Sequence, residues 1–154
     1  MLLKDIQQTK EFKDERQKAM VNIQFTNSWV IENVKQFLEQ AGITPQQFNI
    51  LRILRGSEIP LSTMQIRERM LDRMSDTSRL VDRLKLKGLV DKTICASDKR
   101  LVDVFITEKG LQCLRELDEK NEDLVNIARG LTDDEARVLN ALLDKLRHPN
   151  LAEM

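Results

Sequence analysis

The middle of the chain changes its residue periodicity, and this change limits the folds that the sequence can adopt. From residue 75 to residue 87 the apolar side chains recur at helical spacing, whereas residues 89–95 and 101–106 are rich in β-branched and apolar residues. Polar and small residues separate the latter two segments, which predicts a β-hairpin directly after a helix. A single hairpin among helical segments predicts a mainly α-helical fold with a small β-sheet.

Capping sequences place helices on both sides of the hairpin. Thr44 with Gln47 and Ser62 with Gln65 have the spacing of a capping box, and Pro45 suits the first helical position. The same reasoning predicts further caps at Ser75 or Asp76, at Thr107 and at Thr132. In the short helix after Ser62, we expect Met64, Ile66 and Met70 to face inward. The predicted order is helix, helix, short strand, helix, helix, strand, strand, helix, helix, which is a winged helix-turn-helix flanked by helices at both ends.

The flanking helices carry apolar stripes that one small winged helix cannot cover. The first stripe runs from Met20 to Ala41 and ends at Gly42, and the polar residues 5–18 before it are either a helical extension or a separate arm. After the hairpin we expect one helix from Thr107 to Gly130 and a last helix that Pro149 stops. Because monomers rarely expose large apolar patches, these stripes predict a homodimer. Residues 1–43 and 108–154 would form the helical dimerisation region, and residues 44–107 the winged-helix region.

The charges of the chain cancel overall but not locally. The sequence has 25 basic and 25 acidic residues; residues 62–100 hold ten basic and six acidic side chains, a net charge of +4. Residues 107–154 hold seven basic and eleven acidic side chains, a net charge of −4. Polyanions respond to local potential, so a basic middle is compatible with nucleic-acid binding. The sequence has neither an apolar run of the roughly 18 residues that span a bilayer nor a signal-peptide pattern, so we expect a cytoplasmic protein with no membrane partner.

The sequence offers no residues for catalysis. His148 is the only histidine, and it lies beside a proline near the C-terminus. Cys95 and Cys113 lack the spacing and the histidine partners of a zinc site. We therefore expect neither an enzyme nor a metal or cofactor site. Both thiols are expected to be reduced and buried or half-buried, and a redox response of Cys95 beside the hairpin loop is the alternative.

The helix predicted over residues 75–87 has two different faces. Thr77, Val81 and Leu84 share its apolar stripe, whereas Arg79 and Arg83 lie on the opposite side after a first turn of short polar residues. Short hydroxyl side chains followed by an arginine suit contacts with base edges in a major groove. An ordinary amphipathic surface helix has the same pattern, so this helix alone leaves both interpretations open.

The loop of the hairpin favours the DNA interpretation. Lys99 and Arg100 place two cations near the tip, where the negative potential of a minor groove attracts basic side chains. Asp98 can hold Arg100 through a charge-assisted hydrogen bond and so fix the shape of the loop. A plain solvated turn is the alternative.

The segment MSDTSRLVDRLKLKGLVDKTICASDKRLVDVFITEKG strongly resembles the core sequence of the MarR family of bacterial transcription regulators. The matching features are the small polar start, the SRLVDRL run, KGLV at the end of the helix, the D-x-R loop and I-T-x-K-G before the next helix. ITPQQFNILRIL resembles the second helix of the family. The resemblance extends over roughly residues 20–146.

This resemblance implies a homodimer with intertwined terminal helices that binds a palindromic operator, usually as a repressor released by a small ligand or by oxidation. It implies a recognition helix at Ser75–Lys87 and a wing at Cys95–Leu101, with Asp98 and Arg100 as the D-x-R pair. Lys92 stands where the family often has arginine, and it keeps the charge without the forked geometry. The hydroperoxide-sensing branch has its reactive cysteine in the first helix, and this chain has no cysteine before residue 95.

We therefore predict a sequence-specific DNA-binding transcriptional regulator whose partners are double-stranded DNA and a second copy of the chain. A winged-helix protein-interaction module without specific DNA binding is the alternative, and a steep salt dependence of duplex binding would distinguish the two. The predicted DNA-binding residues are Ser62, Thr63, Ser75, Asp76, Thr77, Ser78, Arg79, Arg83, Lys92, Ser97, Asp98, Lys99 and Arg100.

A small-molecule effector is a further candidate partner. An apolar cleft between the terminal helices and the winged helix would hold it, with Phe25, Trp29 and Phe48 as its walls. The alternative is that these aromatic side chains belong to the hydrophobic core.

Overall fold

The computed structural model describes residues 2–7, 9, 11–94 and 102–148. The chain divides into two compact units, Met1–Asn121 and Glu122–Met154. The helices are α1 (Leu2–Asp5), α2 (Glu15–Glu39), α3 (Pro45–Arg55), α4 (Thr63–Arg69), α5 (Thr77–Leu86), α6 (Glu108–Asp118), α7 (Asn121–Val125) and α8 (Asp133–Arg147), with a 3-10 helix at Asn126–Ala128. The strands are β1 (Leu61–Ser62), β2 (Val90–Ile94) and β3 (Val102–Ile106). The predicted mainly helical fold with a small sheet is confirmed, and short helices are added near both ends.

The long helix α2 starts earlier than its apolar stripe. Asp14 caps it by accepting a hydrogen bond from the Gln17 backbone N–H at 2.8 Å. The end of the polar segment 5–18 is therefore a helical extension of α2, while Leu2–Asp5 forms a separate short helix. Beyond the helix, Gly42 has a φ of +61°, the left-handed conformation that the sequence predicted there.

The apolar side chains of α2 are buried only toward its C-terminal end. Leu38 has no exposed surface, and Val34 and Phe37 pack against the core. Further toward the N-terminus the large apolar side chains are exposed, namely Met20, Ile23, Phe25, Trp29, Val30 and Ile31. An exposed apolar face of this extent is typical of a surface that contacts another molecule.

Both predicted capping boxes of the winged-helix region are present. Thr44 Oγ1 accepts the Gln47 N–H at 3.2 Å, and the Gln47 side chain accepts the Thr44 N–H at 3.2 Å. Ser62 and Gln65 make the same reciprocal pair at the start of α4. These local bonds satisfy backbone donors that a helix N-terminus otherwise leaves free, and they fix where α3 and α4 begin.

The orientation of α4 differs in part from the prediction. Ile66 and Met70 are buried as expected, whereas Met64 is 69% exposed, so the expectation that it faces inward is wrong. Met64 lies two residues before Ile66, which places it about 200° away around the helix. Its position on the far side of α4 follows from this geometry.

The sheet is antiparallel and has the order β1-β3-β2. The two predicted hairpin strands pair with Val90 opposite Ile106 and Thr93 opposite Asp103. The short extended segment predicted before Ser62 also joins the sheet, because Leu61 pairs with Val104 of β3. Val104 is fully buried, so the central strand anchors the hairpin to the core.

The N-terminus of α6 closely approaches the loop that follows α5. Thr107 caps α6 by accepting the Gly110 N–H at 3.1 Å, and its hydroxyl donates to the Gly88 carbonyl at 2.7 Å. A Cβ at position 110 would lie 2.2 Å from the Leu89 carbonyl oxygen and 2.7 Å from Ile106 Cγ1. Glycine at this position therefore permits the close packing of helix, loop and sheet.

The helix predicted from Thr107 to Gly130 is not continuous, and this expectation is wrong. α6 ends at Asp118, and α7 and the 3-10 helix follow as separate short segments. Leu117 is buried, but residues 118–120 are exposed, so core packing does not support the helix across this point. The sequence predicted a single helix because the helical spacing of the apolar residues continues across this break.

The unit Glu122–Met154 contains α8 with the predicted capping box. Thr132 Oγ1 accepts the Glu135 N–H, and the Glu135 carboxylate accepts both the backbone N–H and the hydroxyl of Thr132 at 2.8 Å. These bonds lower the pKa of Glu135 below its ordinary value of 4.5. The apolar side chains of α8 remain exposed, including Val138, Leu139, Leu142 and Leu146. Pro149, the predicted stop, lies outside the described residues.

The hydrophobic core of the unit Met1–Asn121 joins α2 to α6 and the sheet. It contains Leu38, Ile43, Ile50, Leu51, Leu54, Leu61, Ile66, Met70, Val81, Leu84, Leu89, Val90, Val104, Leu114 and Leu117. Because α5 contributes Val81 and Leu84 to this core, its position is fixed relative to α3 and the hairpin.

Candidate nucleic-acid interface

The helix α5 presents one face to the core and the opposite face to solvent. Val81 and Leu84 are fully buried, whereas Ser78, Arg79 and Arg83 are exposed. The predicted division of the helix into a buried stripe and a polar face is therefore confirmed. The helix itself is slightly shorter than the predicted Ser75–Lys87, since Asp76 is the N-cap and Lys87 the C-cap.

The choice between the two predicted caps is decided by a hydrogen bond. Asp76 Oδ1 accepts the Arg79 backbone N–H at 3.2 Å, while the Ser75 hydroxyl donates to the Asp72 carbonyl at 2.8 Å. Ser75 therefore shapes the turn before α5, and Asp76 starts the helix. A carboxylate at this end also suits the positive end of the helix dipole.

The C-terminal end of α5 is tied to two other helices. The Lys87 ammonium donates to the Gly42 carbonyl at 2.5 Å and to Gln47 Oε1 at 3.1 Å, which connects α5 to the start of α3. Lys109 of α6 donates to the Lys87 carbonyl at 2.8 Å. Gly88 follows with a φ of +71°, a conformation that favours glycine. With its inner face buried and its end tied, α5 is held rigidly for contacts on its outer face.

Two ion pairs connect α5 to the sheet and engage the lysines beside it. Lys92 of β2 binds Asp82 at 2.6 Å, and Lys85 binds Asp91 at 2.8 Å, so both lysines tie α5 to the sheet. The hydrogen bond from Lys85 lowers the pKa of Asp91, and the Lys92 backbone N–H lowers it further.

Two arginines of α5 are better placed to meet an anionic partner. Arg79 pairs with Asp76 at 3.2 Å, yet its side chain is 81% exposed. Arg83 is exposed and has no carboxylate partner among the described residues. Within the part of the chain that the structure describes, its guanidinium also donates no hydrogen bond.

The structure places the predicted DNA-binding residues in different surroundings. Thr77 is buried, with only 4% of its surface exposed, so its inclusion among the DNA contacts is corrected: its side chain faces the core. Ser62 uses its hydroxyl to cap α4, and Thr63 follows it half-buried. Lys92 is 30% exposed and engaged with Asp82.

The wing lies outside the described residues. The segment 95–101 contains the predicted contacts Ser97, Asp98, Lys99 and Arg100 as well as Cys95, and these remain predictions. β2 and β3 are described up to Ile94 and from Val102, so the hairpin stem that carries the segment is antiparallel. Cys113, the other cysteine, is half-buried on α6, and burial raises the pKa of its thiol.

Sequence reasoning did not include three exposed arginines in the segment before α5. Arg67 and Arg69 lie on α4, and Arg73 lies in the turn between α4 and α5. Within the described parts of the chain, the recorded ion pairs involve none of the three. The local excess of basic residues pointed to this segment, but only the structure shows that these guanidinium groups are exposed.

A cavity of about 600 Å³ lies between α2, α3 and the turn that leads to α5. It is lined by Asn27, Val30, Ile31, Val34, Pro45, Gln46, Phe48, Asn49, Arg52, Met70, Leu71 and Asp72. Phe48, one of the three predicted wall residues, lines it, and the Arg52 guanidinium carbon lies 5.7 Å from the Phe48 ring centre. Phe25 and Trp29 lie on the exposed part of α2 and are not among the lining residues.

The arrangement defines a class of protein. A helix-turn-helix formed by α4 and α5, with an exposed arginine-bearing face on the second helix and an antiparallel hairpin after it, is a winged-helix DNA-binding fold. Residues 41–101 match the sequence model of the MarR family. The matched segment holds the helix-turn-helix and the first strand of the hairpin, so this part of the chain is similar to the winged helix of the MarR family of transcriptional regulators.

Individual relatives agree with this assignment. The HTH-type transcriptional repressor IacR of Pseudomonas putida is 28% identical over 118 residues, which cover 76% of this chain and 70% of that protein. A mutant MarR from E. coli in complex with operator DNA is 24% identical, with a TM-score of 0.79, over 89% of this chain and 99% of that one. BpsR of Bordetella bronchiseptica, whose DNA binding is regulated by 6-hydroxynicotinic acid, is 20% identical, with a TM-score of 0.72, over 84% and 98% of the two chains. The solved structures show that the fold is shared.

Among the described residues, no helix combines the length and the apolar character needed to cross a membrane.

Proposed function

We propose that the chain acts in the cytoplasm as a homodimeric repressor that binds a palindromic operator, with one copy of α5 in the major groove of each half-site. The observation that carries this proposal is the exposed face of α5, where Arg79 and Arg83 project from a helix whose opposite face is buried. A recognition helix needs this combination, because a side chain reads a base edge only if its backbone is held in place.

The exposed arginines would have different tasks in the complex. Arg79 lies in the first turn of α5, where a guanidinium can make a bidentate contact with guanine. Arg83 and the three arginines of the segment 67–73 would bind phosphates, which fixes the position of the protein without reading sequence. In the wing, Lys99 and Arg100 would reach the minor groove, with Asp98 holding Arg100.

The proposed dimer is supported by two exposed apolar faces. One is the N-terminal part of α2, and the other is the apolar stripe of α8. α6 lies within the proposed dimerisation region of residues 108–154, but its Leu114 and Leu117 are buried in the core shared with the winged helix. The dimer contacts are therefore assigned to α2 and α8.

The proposed effector is a small, largely apolar molecule that binds in the cavity. Val30, Ile31 and Val34 give the cavity an apolar wall from α2, while Asn49 and Arg52 offer polar groups from α3. Such a combination of apolar surface and few polar groups is typical of small-molecule sites. Binding there would release the repressor from its operator.

A selection of bound duplexes from a random library tests the DNA-binding proposal. We expect enrichment of a two-fold symmetric motif and binding that weakens steeply as salt rises, because phosphate contacts release counterions. Retention of duplexes without any enriched sequence, or binding that salt does not change, would favour a protein-interaction module instead.

A further inference from the structure

The lysine that ends α5 reaches the segment that joins α2 to α3, residues 40–44. The Lys87 ammonium donates to the Gly42 backbone carbonyl at 2.5 Å and to Gln47 Oε1 at 3.1 Å. The bond to Gly42 joins residues that are 45 positions apart in the sequence. Among the described residues, no other side-chain hydrogen bond joins α5 to this segment. One side chain therefore connects the end of α5 to the end of α2.

Both ends of this connection are themselves held in place. The Gly42 N–H donates to the Glu39 carbonyl at 3.0 Å, and the neighbouring Ile43 is buried in the core. The acceptor carbonyl is therefore fixed to the end of α2. At the other end, the Lys87 carbonyl accepts a hydrogen bond from the Lys109 ammonium of α6 at 2.8 Å. The Lys87 ammonium thus links two points that are each fixed in the fold.

The position of α5 relative to α2 decides which operators a dimer can bind. The exposed apolar side chains of α2 form one of the two faces assigned above to the proposed dimer. Half-sites on one face of a duplex are one helical turn apart, and each inserted base pair moves a half-site by about 3.4 Å and rotates it by about 35°. A dimer that holds both copies of α5 rigidly relative to α2 therefore accepts one spacing, whereas a looser dimer accepts several.

We propose that Lys87 is a positioning residue that sets the half-site spacing of the operator by holding the end of α5 against the end of α2. It lies at the C-terminal end of α5, whereas the proposed base contact of Arg79 is in the first turn. Loss of the ammonium should therefore leave the base preference within each half-site unchanged and relax the distance between the half-sites. This inference rests on the proposed binding of an operator by a homodimer.

The variant Lys87→Met removes the ammonium and keeps an unbranched side chain. The capping box of α3 should survive in this variant, because Gln47 Oε1 still accepts the Thr44 N–H at 3.2 Å. Gly42 is exposed, so water can bind its freed carbonyl. Lys85→Met is the matched control, since Lys85 lies on the same end of α5 but pairs with Asp91 of β2. Both variants lose one positive charge, which equalises their general electrostatic loss of affinity for DNA.

The affinity of each protein is measured on the selected operator and on operators with one or two base pairs inserted or deleted between the half-sites. In the wild type, binding at a wrong spacing breaks the Lys87 hydrogen bond, whereas Lys87→Met no longer has this bond to lose. The ratio of affinities for the selected and the altered spacing should therefore fall by about two- to tenfold in Lys87→Met, the usual effect of one hydrogen bond. An unchanged ratio in Lys87→Met, or an equal fall in Lys85→Met, would overturn the proposal.

Chemical restoration of the ammonium separates its hydrogen bonds from other effects of the substitution. In a chain that carries Cys95→Ser and Cys113→Ser, Lys87→Cys is alkylated with 2-bromoethylamine, so that the thiolate forms a C–S bond and bromide leaves. The product has an ammonium at the reach of lysine, and alkylation with 1-iodopropane gives a side chain of equal length without the charge. We expect the aminoethyl adduct, and not the propyl adduct, to regain the spacing preference of the parent chain. Equal spacing preference of the two adducts would contradict the positioning role.

The two proposals fail in distinguishable ways. If the wild-type chain enriches no two-fold symmetric duplex, operator binding by a dimer is wrong, and the role of Lys87 is wrong with it. If the wild type enriches an operator of fixed spacing and Lys87→Met keeps the same ratio of affinities, the repressor proposal stands and only the positioning role of Lys87 is wrong.

Discussion

Substitution of Gly110 by alanine should strongly destabilise the fold. The new Cβ would lie 2.2 Å from the Leu89 carbonyl oxygen and 2.7 Å from Ile106 Cγ1. Overpacking commonly costs about 1–3 kcal/mol, and a backbone carbonyl cannot move aside as a flexible side chain can. The better helix propensity of alanine returns at most about 1 kcal/mol. Because the clash is with backbone, we take the upper end of the overpacking range, about 3 kcal/mol, which leaves a net loss of about 2 kcal/mol or more in the free energy of unfolding, a large part of the total for a domain.

Two other glycines provide matched controls for this prediction. Gly42 has a φ of +61° and open space around it, so Gly42→Ala should cost only backbone strain, about 1–2 kcal/mol. Gly130 has neither a positive φ nor a neighbour within 4 Å, so Gly130→Ala should be neutral or slightly stabilising. Urea unfolding followed by circular dichroism ranks the three variants by their free energy of unfolding. All measurements use one fixed protein concentration, because a dimer gains stability by mass action. Wild-type stability of Gly110→Ala would refute the argument for close packing.

Further predictions concern α8 and the proposed dimer. Because the pKa of Glu135 is lowered in the folded chain, its contribution to stability is present above its ordinary value of 4.5 and is lost as the pH falls through the lower, folded value. Glu135→Gln should therefore flatten the acid limb of a thermal-melting series between about pH 6 and pH 3, and an unchanged limb would contradict the assignment. Leu142→Glu places a charge in the exposed apolar stripe of α8 and should lower the mass measured by light scattering toward the 17.9 kDa of one chain. A mass that stays at twice this value would exclude α8 from the dimer contact.

The elements that short-range signals define could be predicted from the sequence. Thr44, Ser62, Thr107 and Thr132 each cap a helix where the sequence placed one, because an N-cap side chain bonds a backbone N–H three residues later. The buried face of α5 followed from helical spacing, and the hairpin from the change in residue type. These signals act within a few residues, so one sequence contains them completely.

Features that depend on distant contacts could not be predicted in this way. The hydrogen bond of Asn49 crosses 22 residues, and no local pattern marks an asparagine on α3 as a partner of Leu71. The break after Asp118 has neither glycine nor proline, so periodicity alone carried the predicted helix across it. Thr77, in contrast, could be predicted locally, because its position in the apolar stripe of α5 already indicated burial. The DNA contact that its hydroxyl suggested is ruled out by that burial.

The central claim, that α5 reads an operator, is tested most directly by comparing two arginine variants on the selected operator and on a scrambled duplex. Arg79 and Arg137 both pair with an aspartate three residues earlier on an exposed helix surface, so they differ mainly in their location. We predict that Arg79→Ala loses about 1–3 kcal/mol of operator affinity and loses preference at one position of each half-site, while Arg137→Ala binds both duplexes like the wild type. Undiminished operator preference in Arg79→Ala would contradict the assignment of α5 as the recognition helix.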